Sequence, residues 1–565
     1  MDKEKSNFNT KIKYFLCLAV VFSLFLISCK KKTQAQYDGK ISFEISFSED
    51  VFPGPITGRV YVMISRDKKR EPRLQIGRNG TPFFGVDIKQ LPPGGYAVID
   101  DTVLGSPVEN LRDIPSGDYY VQGFINIYTE FHRSDGHVVW LHNDQWEGQR
   151  FNRSPGNFYS EIKKVHLDNK NGYKVKLVAS KKIPPVKIPP DTQWVKRIKF
   201  QSKLLSEFWG QPIYLGATIL LPKDYDKNPD ILYPVDYIQG HFSLRAPYGF
   251  SPKRPKKSNS RGQRGYKFYK AWTSENFPRM ILVTFQHPCP YFDDSYAVNS
   301  ANCGPYGDAI MTELIPRIES QYRIIREPYA RVLEGGSTGG WESFALQVFY
   351  PDSFGGTFSY CPDPLTFSDV EGINIYKDKN AYFREYEWLE VPTPNSRRSD
   401  GSIAMTSKQR NYFELVCGTK GRSGEQLDIW AAVHGPVGED GYTKPLFDKV
   451  TGEIDPEVAL LWKENYDIKY YLEKNWKTVG PKLVGKLFVF TGDMDTYYLN
   501  NSSHTIHDFL EKTNNPYYGG FFLFAPRKPH CWSGPFKSQS ERLRFIALHI
   551  AKNAPKNVEN SWWIW

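Results

Sequence analysis

The sequence predicts an α/β chain: a mostly parallel sheet with helices on both faces, preceded by an all-β, sandwich-like domain. Three observations carry this expectation. Residues 38–180 hold β-rich runs between Pro/Gly/Asp-rich turns, and Ile41–Phe47 alternates with period two, so one face packs on a core and the other meets water. Residues 191–565 instead alternate short apolar runs with amphipathic stretches, the pattern of parallel strands and crossover helices. Between them, 181–190 contains Ile183-Pro184-Pro185-Val186-Lys187-Ile188-Pro189-Pro190, whose paired prolines favour stiff, extended backbone and mark a linker.

In the first domain the strand expectations are Ile41–Phe47, 59–64, 95–99, 118–128 and 173–178. His132, His137 and His142 lie near Trp140 and Trp146, but such dispersed histidines fit a structural or exposed role better than a metal site. In the second domain the clear strand candidates begin at 214–222, which stops at Pro222, and continue with the apolar part of 233–242 and with 280–286. Residues 243–270 are polar, basic and rich in Pro and Gly, and read as loop. Residues 307–322 read as a helix that Pro316 should kink or split. A strand is expected at 356–361, and then from 364 to 480 the alternation is interrupted by a long aromatic and charged insertion. Helical patches are expected there at 408–414 and 457–472, and the segment is read as a cap shaping a pocket in preference to surface elaboration. Strands at 486–490 and 520–524 resume the sheet, with helices at 503–512 and 538–551.

With 40% apolar and 24% charged residues, the chain reads as globular, and its +11 net charge is spread over short basic runs without interleaved aromatics. That distribution argues against a nucleic-acid partner. Apart from Cys17 and Cys29, the cysteines are Cys289, Cys303, Cys361, Cys417 and Cys531. They are too few for a disulfide scaffold and too scattered for a zinc or iron–sulfur site, with Cys289 and Cys303 a plausible pair. Residues 1–28 have a basic start (Lys3, Lys5, Lys11, Lys13) and an uncharged, mostly apolar run from 14 to 28. The run ends Leu26-Ile27-Ser28-Cys29 and resembles a bacterial lipoprotein signal, which implies lipidation of Cys29 and a tether at 29–37; a cleaved secretory leader shares the hydrophobic pattern. The implied location is the bacterial cell envelope, lipid-anchored, periplasmic or outer-membrane associated.

The chemistry centres on Gly335-Gly336-Ser337-Thr338-Gly339, between a strand-like and a helix-like segment. This is the G-x-S-x-G nucleophile elbow, in which glycines relieve crowding around a serine at a strained turn. A serine hydroxyl attacks only if a base takes its proton, and that base needs an acceptor on its other nitrogen. His530 and Asp495 each follow an apolar strand and complete the order Ser, Asp, His; Asp493 is the alternative acid. For the oxyanion, the backbone N–H of Thr338 is the first donor, and the second comes from His241 or Phe242, after Gly240. His287 and Tyr291 are candidates to contact substrate. No metal or organic cofactor is required.

The elbow, Tyr237-Ile238-Gln239-Gly240-His241, Gly492-Asp493-Met494-Asp495 and His530 together resemble the "Putative esterase" family of α/β-hydrolases, which includes feruloyl-esterase-like and enterochelin-esterase-like enzymes. The similarity covers roughly 210–550, less the insertion. It implies an α/β-hydrolase domain, favours Asp495 through the family's G-x-x-D turn, and departs from the common G-x-S-M-G-G form at Thr338. The expected function is hydrolysis of a carboxylic ester through an acyl-enzyme, on a small-molecule, aryl or glycan-linked substrate. The alternatives are a serine peptidase or acyltransferase, or an inactive envelope-binding protein.

Overall fold

A computed structural model of the chain describes residues 39–255, 260–556 and 558. The leader, Cys29 and the tether lie outside the described residues. The N-terminal part, from Ile41 to Lys182, forms a nine-stranded sheet and a separate two-stranded hairpin, Thr129–His132 with Val138–Leu141. The expectation of sandwich-like packing is met by a single hydrogen-bonded sheet curled on itself. Ile41–Phe47 and Tyr173–Lys182 run parallel at one side, Ile56–Ser65 and Gly117–Ile127 antiparallel at the other. Their facing side chains, among them Phe43, Ile45, Val62, Val121 and Leu177, make one closed core. The approach is close at Gly123, where an added Cβ would lie 3.2 Å from both Ile45 and Leu177.

The second part is an eight-stranded sheet, numbered here β1 (Val195–Ser202), β2 (Ile213–Leu220), β3 (Val235–Gln239), β4 (Ile281–Gln286), β5 (Arg331–Gly336), β6 (Gly356–Tyr360), β7 (Leu487–Gly492) and β8 (Phe521–Ala525). The spatial order is 1-2-4-3-5-6-7-8, with β2 antiparallel to both neighbours and β3 to β8 parallel. This is the α/β-hydrolase sheet. Its central strands are buried on both faces, as crossover helices require. The helix Thr338–Phe349 after β5 is buried almost all round, which explains its apolar composition and its Gly339-Gly340 pair.

Several elements differ from expectation. Strand β1 is additional; its alternation is masked by lysines and arginines on the solvent side of an edge strand. Residues 260–272 form a helix rather than loop: Phe268 and Trp272, one turn apart, anchor an otherwise basic segment. The expected helix around Pro316 is divided into α-helical Tyr306–Ala309, a π-helical turn and α-helical Ile315–Gln321, with Pro316 in the first turn of the last segment. The π-helical turn at Ile310–Leu314 lies just ahead of the proline and absorbs the missing N–H by widening the ladder. Cys289 and Cys303 are buried free thiols, not a disulfide.

The insertion carries helices Ser407–Cys417, Gln426–His434, Pro456–Tyr466 and Ile468–Leu483. Its first helix, capped by a reciprocal Thr406–Gln409 box, docks on the outer face of the N-terminal sheet. Phe413, Val416 and Cys417 pack there with Tyr61, Met63, Phe83 and Phe124. At the seam, Arg59 donates to Asp87 Oδ1 at 2.8 Å, to Gly85 O at 2.9 Å and to Val416 O at 3.0 Å. Asp87 also accepts from Arg422 of the insertion at 2.7 Å, and Tyr61 Oη donates to Cys417 O. Arg59→Met removes a buried cation and leaves these acceptors without it. We expect a loss of about 3 kcal/mol, the low end for breaking a buried pair because Asp87 is partly exposed. A urea midpoint equal to that of the wild type would refute the assignment.

Candidate active site

Ser337 stands between β5 and its helix with φ 58° and ψ −124°, a conformation that L-residues avoid and that projects the hydroxyl from the sheet edge. The glycines are dictated by contact: a Cβ on Gly335 would lie 2.1 Å from Gly339 O, and one on Gly339 would lie 2.2 Å from Gln239 O. His530 Nε2 is 2.9 Å from Ser337 Oγ, and its Nδ1 is 2.7 Å from Asp495 Oδ2. The three groups, from three separate loops, thus form one hydrogen-bonded chain able to move a proton off the hydroxyl.

Asp495 is fully buried. Its Oδ2 holds the imidazole, while Oδ1 accepts the N–H groups of Tyr497 at 2.9 Å and Leu499 at 3.4 Å, where the helix Leu499–Leu510 begins. One carboxylate therefore both caps a helix and orients the base. Arg397 of the insertion clamps this loop, donating to Asp495 O at 2.9 Å and to Asp493 O at 3.0 Å. The loops bearing acid and base are joined directly: Asp493 N–H donates to Ala525 O and Met494 N–H to Lys528 O, each at 3.0 Å. Gly492 makes that approach possible, since a Cβ there would be 2.2 Å from Lys528 O. Asp493 itself turns outward and bonds His504 Nε2 at 2.9 Å, so the alternative acid does not reach His530.

The backbone N–H of Thr338 opens the helix after Ser337 and has no acceptor among the described residues. β3 pairs with β5 so that Gln239 lies opposite Gly335; His241 and Phe242 therefore leave the sheet beside the serine. Gly240, at φ 143°, makes the turn. The His241 ring is held by Asp293 at 3.1 Å and Asp294 at 3.0 Å. Burial works against its charge, but these two carboxylates raise its pKa well above the ordinary imidazole value. His287 and Tyr291, expected to meet substrate, do not: both are about 1% exposed. His287 bonds Ser295 Oγ at 3.0 Å, and burial lowers its pKa to about 4. They follow β4 into the core because that loop folds back beneath the site. The histidines weighed for a metal site are bonded separately, His132 to Glu130, His137 to Asp135 and His142 to Glu147.

A polar group that no sequence motif announces stands on the other side of Ser337. Asp363, after β6, accepts from Ser337 Oγ at 3.3 Å, Tyr296 Oη at 2.7 Å, Thr338 Oγ1 at 3.0 Å and Gln426 Nε2 at 3.0 Å. Trp430 Nε1 donates to Tyr296 Oη at 2.6 Å. The insertion thus reaches the nucleophile's surroundings through Gln426 and Trp430. The N-terminal part reaches His530: Arg78 donates to Tyr497 Oη at 3.0 Å, and the Tyr497 ring stands edge-on to the imidazole at 5.0 Å.

His530 also has Cys531 beside it, whose N–H donates to Cys361 Sγ at 3.1 Å. Cys361 lowers the Cys531 pKa to about 5, against burial and with help from His530. For His530, burial lowers the pKa, while Asp495 and Cys531 outweigh it and raise the value above that of free imidazole. Only the neutral ring accepts the serine proton, so activity should rise with pH along a limb displaced upward. Cys531→Ser removes the thiolate and is expected to move that limb to lower pH in a kcat/KM profile. An unmoved limb would show that Cys531 carries no charge there.

A family model described as "Putative esterase" matches residues 214–411, from β2 to the first insertion helix and across the elbow. No curated protein sequence matches. Among solved structures, similarity extends to an S-formylglutathione hydrolase from Agrobacterium tumefaciens, with 11% identity over 64% of this chain and 99% of that one and a TM-score of 0.35. A fluorophosphonate-binding serine hydrolase of Staphylococcus aureus shares 14% identity over 63% of this chain and 98% of its own, with a TM-score of 0.32. A ferulic acid esterase from Anaeromyces mucronatus, in complex with ferulic acid, shares 13% over 65% and 94%, with a TM-score of 0.28.

Proposed function

We propose that the α/β domain, whose residues 214–411 match the "Putative esterase" family model, is a carboxylic ester hydrolase working through an acyl-enzyme on Ser337. The observation that carries the mechanism is the continuous Ser337–His530–Asp495 hydrogen-bonded chain. Ser337 Oγ attacks the ester carbonyl as its proton passes to His530 Nε2. The oxyanion is received by the Thr338 N–H and a donor of the His241–Phe242 turn. Collapse expels the alcohol, which takes the proton from His530. Water then repeats the sequence on the acyl-serine, releasing the acid and restoring the hydroxyl. Asp495, bonded to His530 Nδ1, stabilises the imidazolium formed at each attack.

Glycan-linked or aryl esters fit an enzyme of this kind attached at the envelope, and the leader supports attachment through a lipid on Cys29. Cys29→Ser is expected to shift the protein expressed in a bacterial host from the membrane to the soluble fraction; unchanged membrane retention would refute the anchor. The enzymatic test uses nitrophenyl acetate, feruloylated and acetylated sugars, and peptide amides. Ser337→Ala is expected to lose roughly 10⁴-fold or more in kcat on esters, and Asp495→Asn about 10⁴-fold. Asp493→Asn should retain turnover near the wild-type level. Ester hydrolysis surviving intact in purified Ser337→Ala would overturn the mechanism, and a preference for amides would replace esterase with peptidase.

A further inference from the structure

Next to Ser337 lies a cleft of about 410 Å³ whose walls come from all three parts of the chain. Loops of the N-terminal part line one side, the insertion turn 423–426 the other, and His241 and Phe292 of the α/β domain the floor. Gln426 lines the cleft and bonds Thr338 Oγ1 at 3.1 Å and Asp363 at 3.0 Å, which ties the cleft to the residues around the nucleophile. The oxyanion turn is part of the same surface. A Cβ on Gly148 of the N-terminal loop would lie 2.9 Å from the Phe242 side chain, and Trp146 packs edge-on to that ring at 5.1 Å.

The lining is strongly cationic. Arg70, Arg78, Arg150 and Arg153 all face the cleft, joined by the charged ring of His241. The carboxylates on the same surface are Asp293, engaged with His241, and Glu425, which is 3.5 Å from Arg410 and also feels Arg78 and Arg150, so it offsets part of the positive charge. Arg70, Arg150 and Arg153 form no ion pair among the described residues. Arg153 is held below the ordinary guanidinium value by burial and then by repulsion from Arg150, Arg70 and Arg73. Arg78 has Glu425, Glu371 and Glu414 near it, but Arg153 faces the like charges of Arg150 and Arg70 across the concavity, and a folded protein retains such an arrangement where a ligand supplies the opposite charge. A guanidinium presents a planar fork that matches a carboxylate in two parallel hydrogen bonds, and here four arginines line one cleft.

From this we infer that the arginine-lined cleft binds a carboxylate carried by the substrate, making the protein selective for esters of acidic, hydrophilic molecules such as uronic-acid-bearing saccharides. For its chemistry the inference rests on the esterase reading above; for binding it stands alone. The first domain is then part of the substrate site: it supplies every arginine of the cleft, while the family-matched domain supplies the serine.

Two matched pairs of esters test this on the full chain. Acetylated glucuronic acid against acetylated glucose puts the carboxylate on the alcohol side; nitrophenyl hydrogen succinate against nitrophenyl butyrate puts it on the acyl side. We expect at least one pair to favour the charged member by 10-fold or more in kcat/KM. That selectivity ratio should fall at least 10-fold in Arg150→Ala/Arg153→Ala and recover in part with Arg150→Lys/Arg153→Lys. It should also weaken as sodium chloride is raised. In parallel, calorimetry on the Ser337→Ala protein should show glucuronate binding that glucose does not share and that the double alanine variant loses. Equal turnover of both members in each pair, or a ratio untouched by the arginine changes, overturns the inference. Sulfate binding as tightly as glucuronate would reassign the cleft from carboxylates to sulfate esters. If no ester is hydrolysed, it is the enzymatic reading that fails. The calorimetric comparison then still decides the anion site, with absence of glucuronate binding counting against it.

Discussion

Arg59 lies buried where the N-terminal sheet meets the insertion, donating to Asp87 in its own domain and to the carbonyl of Val416 at the end of the docked helix. A guanidinium taken out of water is costly unless all its donors are used, so this one ties its surroundings to a single geometry. Asp87 extends the tie to Arg422, and Arg422 leads directly into the 423–426 turn that walls the cleft. The position of Gln426 beside Thr338 and Asp363 follows from that seam. Without the docked helix, the aromatic face of Tyr61, Phe83 and Phe124 would also lose its cover. The site is therefore not a property of the α/β domain alone. Its serine, acid and base come from that domain, while their environment is assembled by a contact far along the chain.

The same logic holds around the base. A hydrolase sheet delivers Ser337, Asp495 and His530 to one edge because parallel strands gather their C-terminal loops there. Fine placement then depends on what holds those loops. Asp495 is fixed by its own helix cap and by Arg397 of the insertion, and the imidazole by Tyr497, itself bonded to Arg78 of the first domain. Each contact restricts one degree of freedom in a relay that works over distances near 3 Å.

The relay was legible in the sequence because its residues sit at punctuation: glycines that permit close approach, and polar residues that follow apolar strands. Gly335, Gly339 and Gly492 each sit where a Cβ would strike backbone, which is why the elbow and the G-x-x-D turn stand out. The period-two pattern of Ile41–Phe47 survived because its partners are sequence-distant but its exposure alternates cleanly at the start. What could not be read was depth and convergence. His287 and Tyr291 follow a strand as His530 does, yet their loop folds under the sheet edge rather than over it. Asp363, Tyr296 and Gln426 lie in three unrelated segments, and nothing in any of them signals the others. The helix Ser260–Trp272 was hidden because two anchoring aromatics do not make a period among so many basic residues.

The docking of the insertion also bears on how the protein is built. A chain made from its N terminus finishes the curled sheet long before the helix Ser407–Cys417 emerges, so the sheet can fold first and stand ready as a template. The hydrolase sheet, by contrast, must wait for β7 and β8, the last strands to be synthesised, with the insertion already tethered upstream of them. Assembly thus ends at one edge of the hydrolase sheet, and the proton relay is the final part to close.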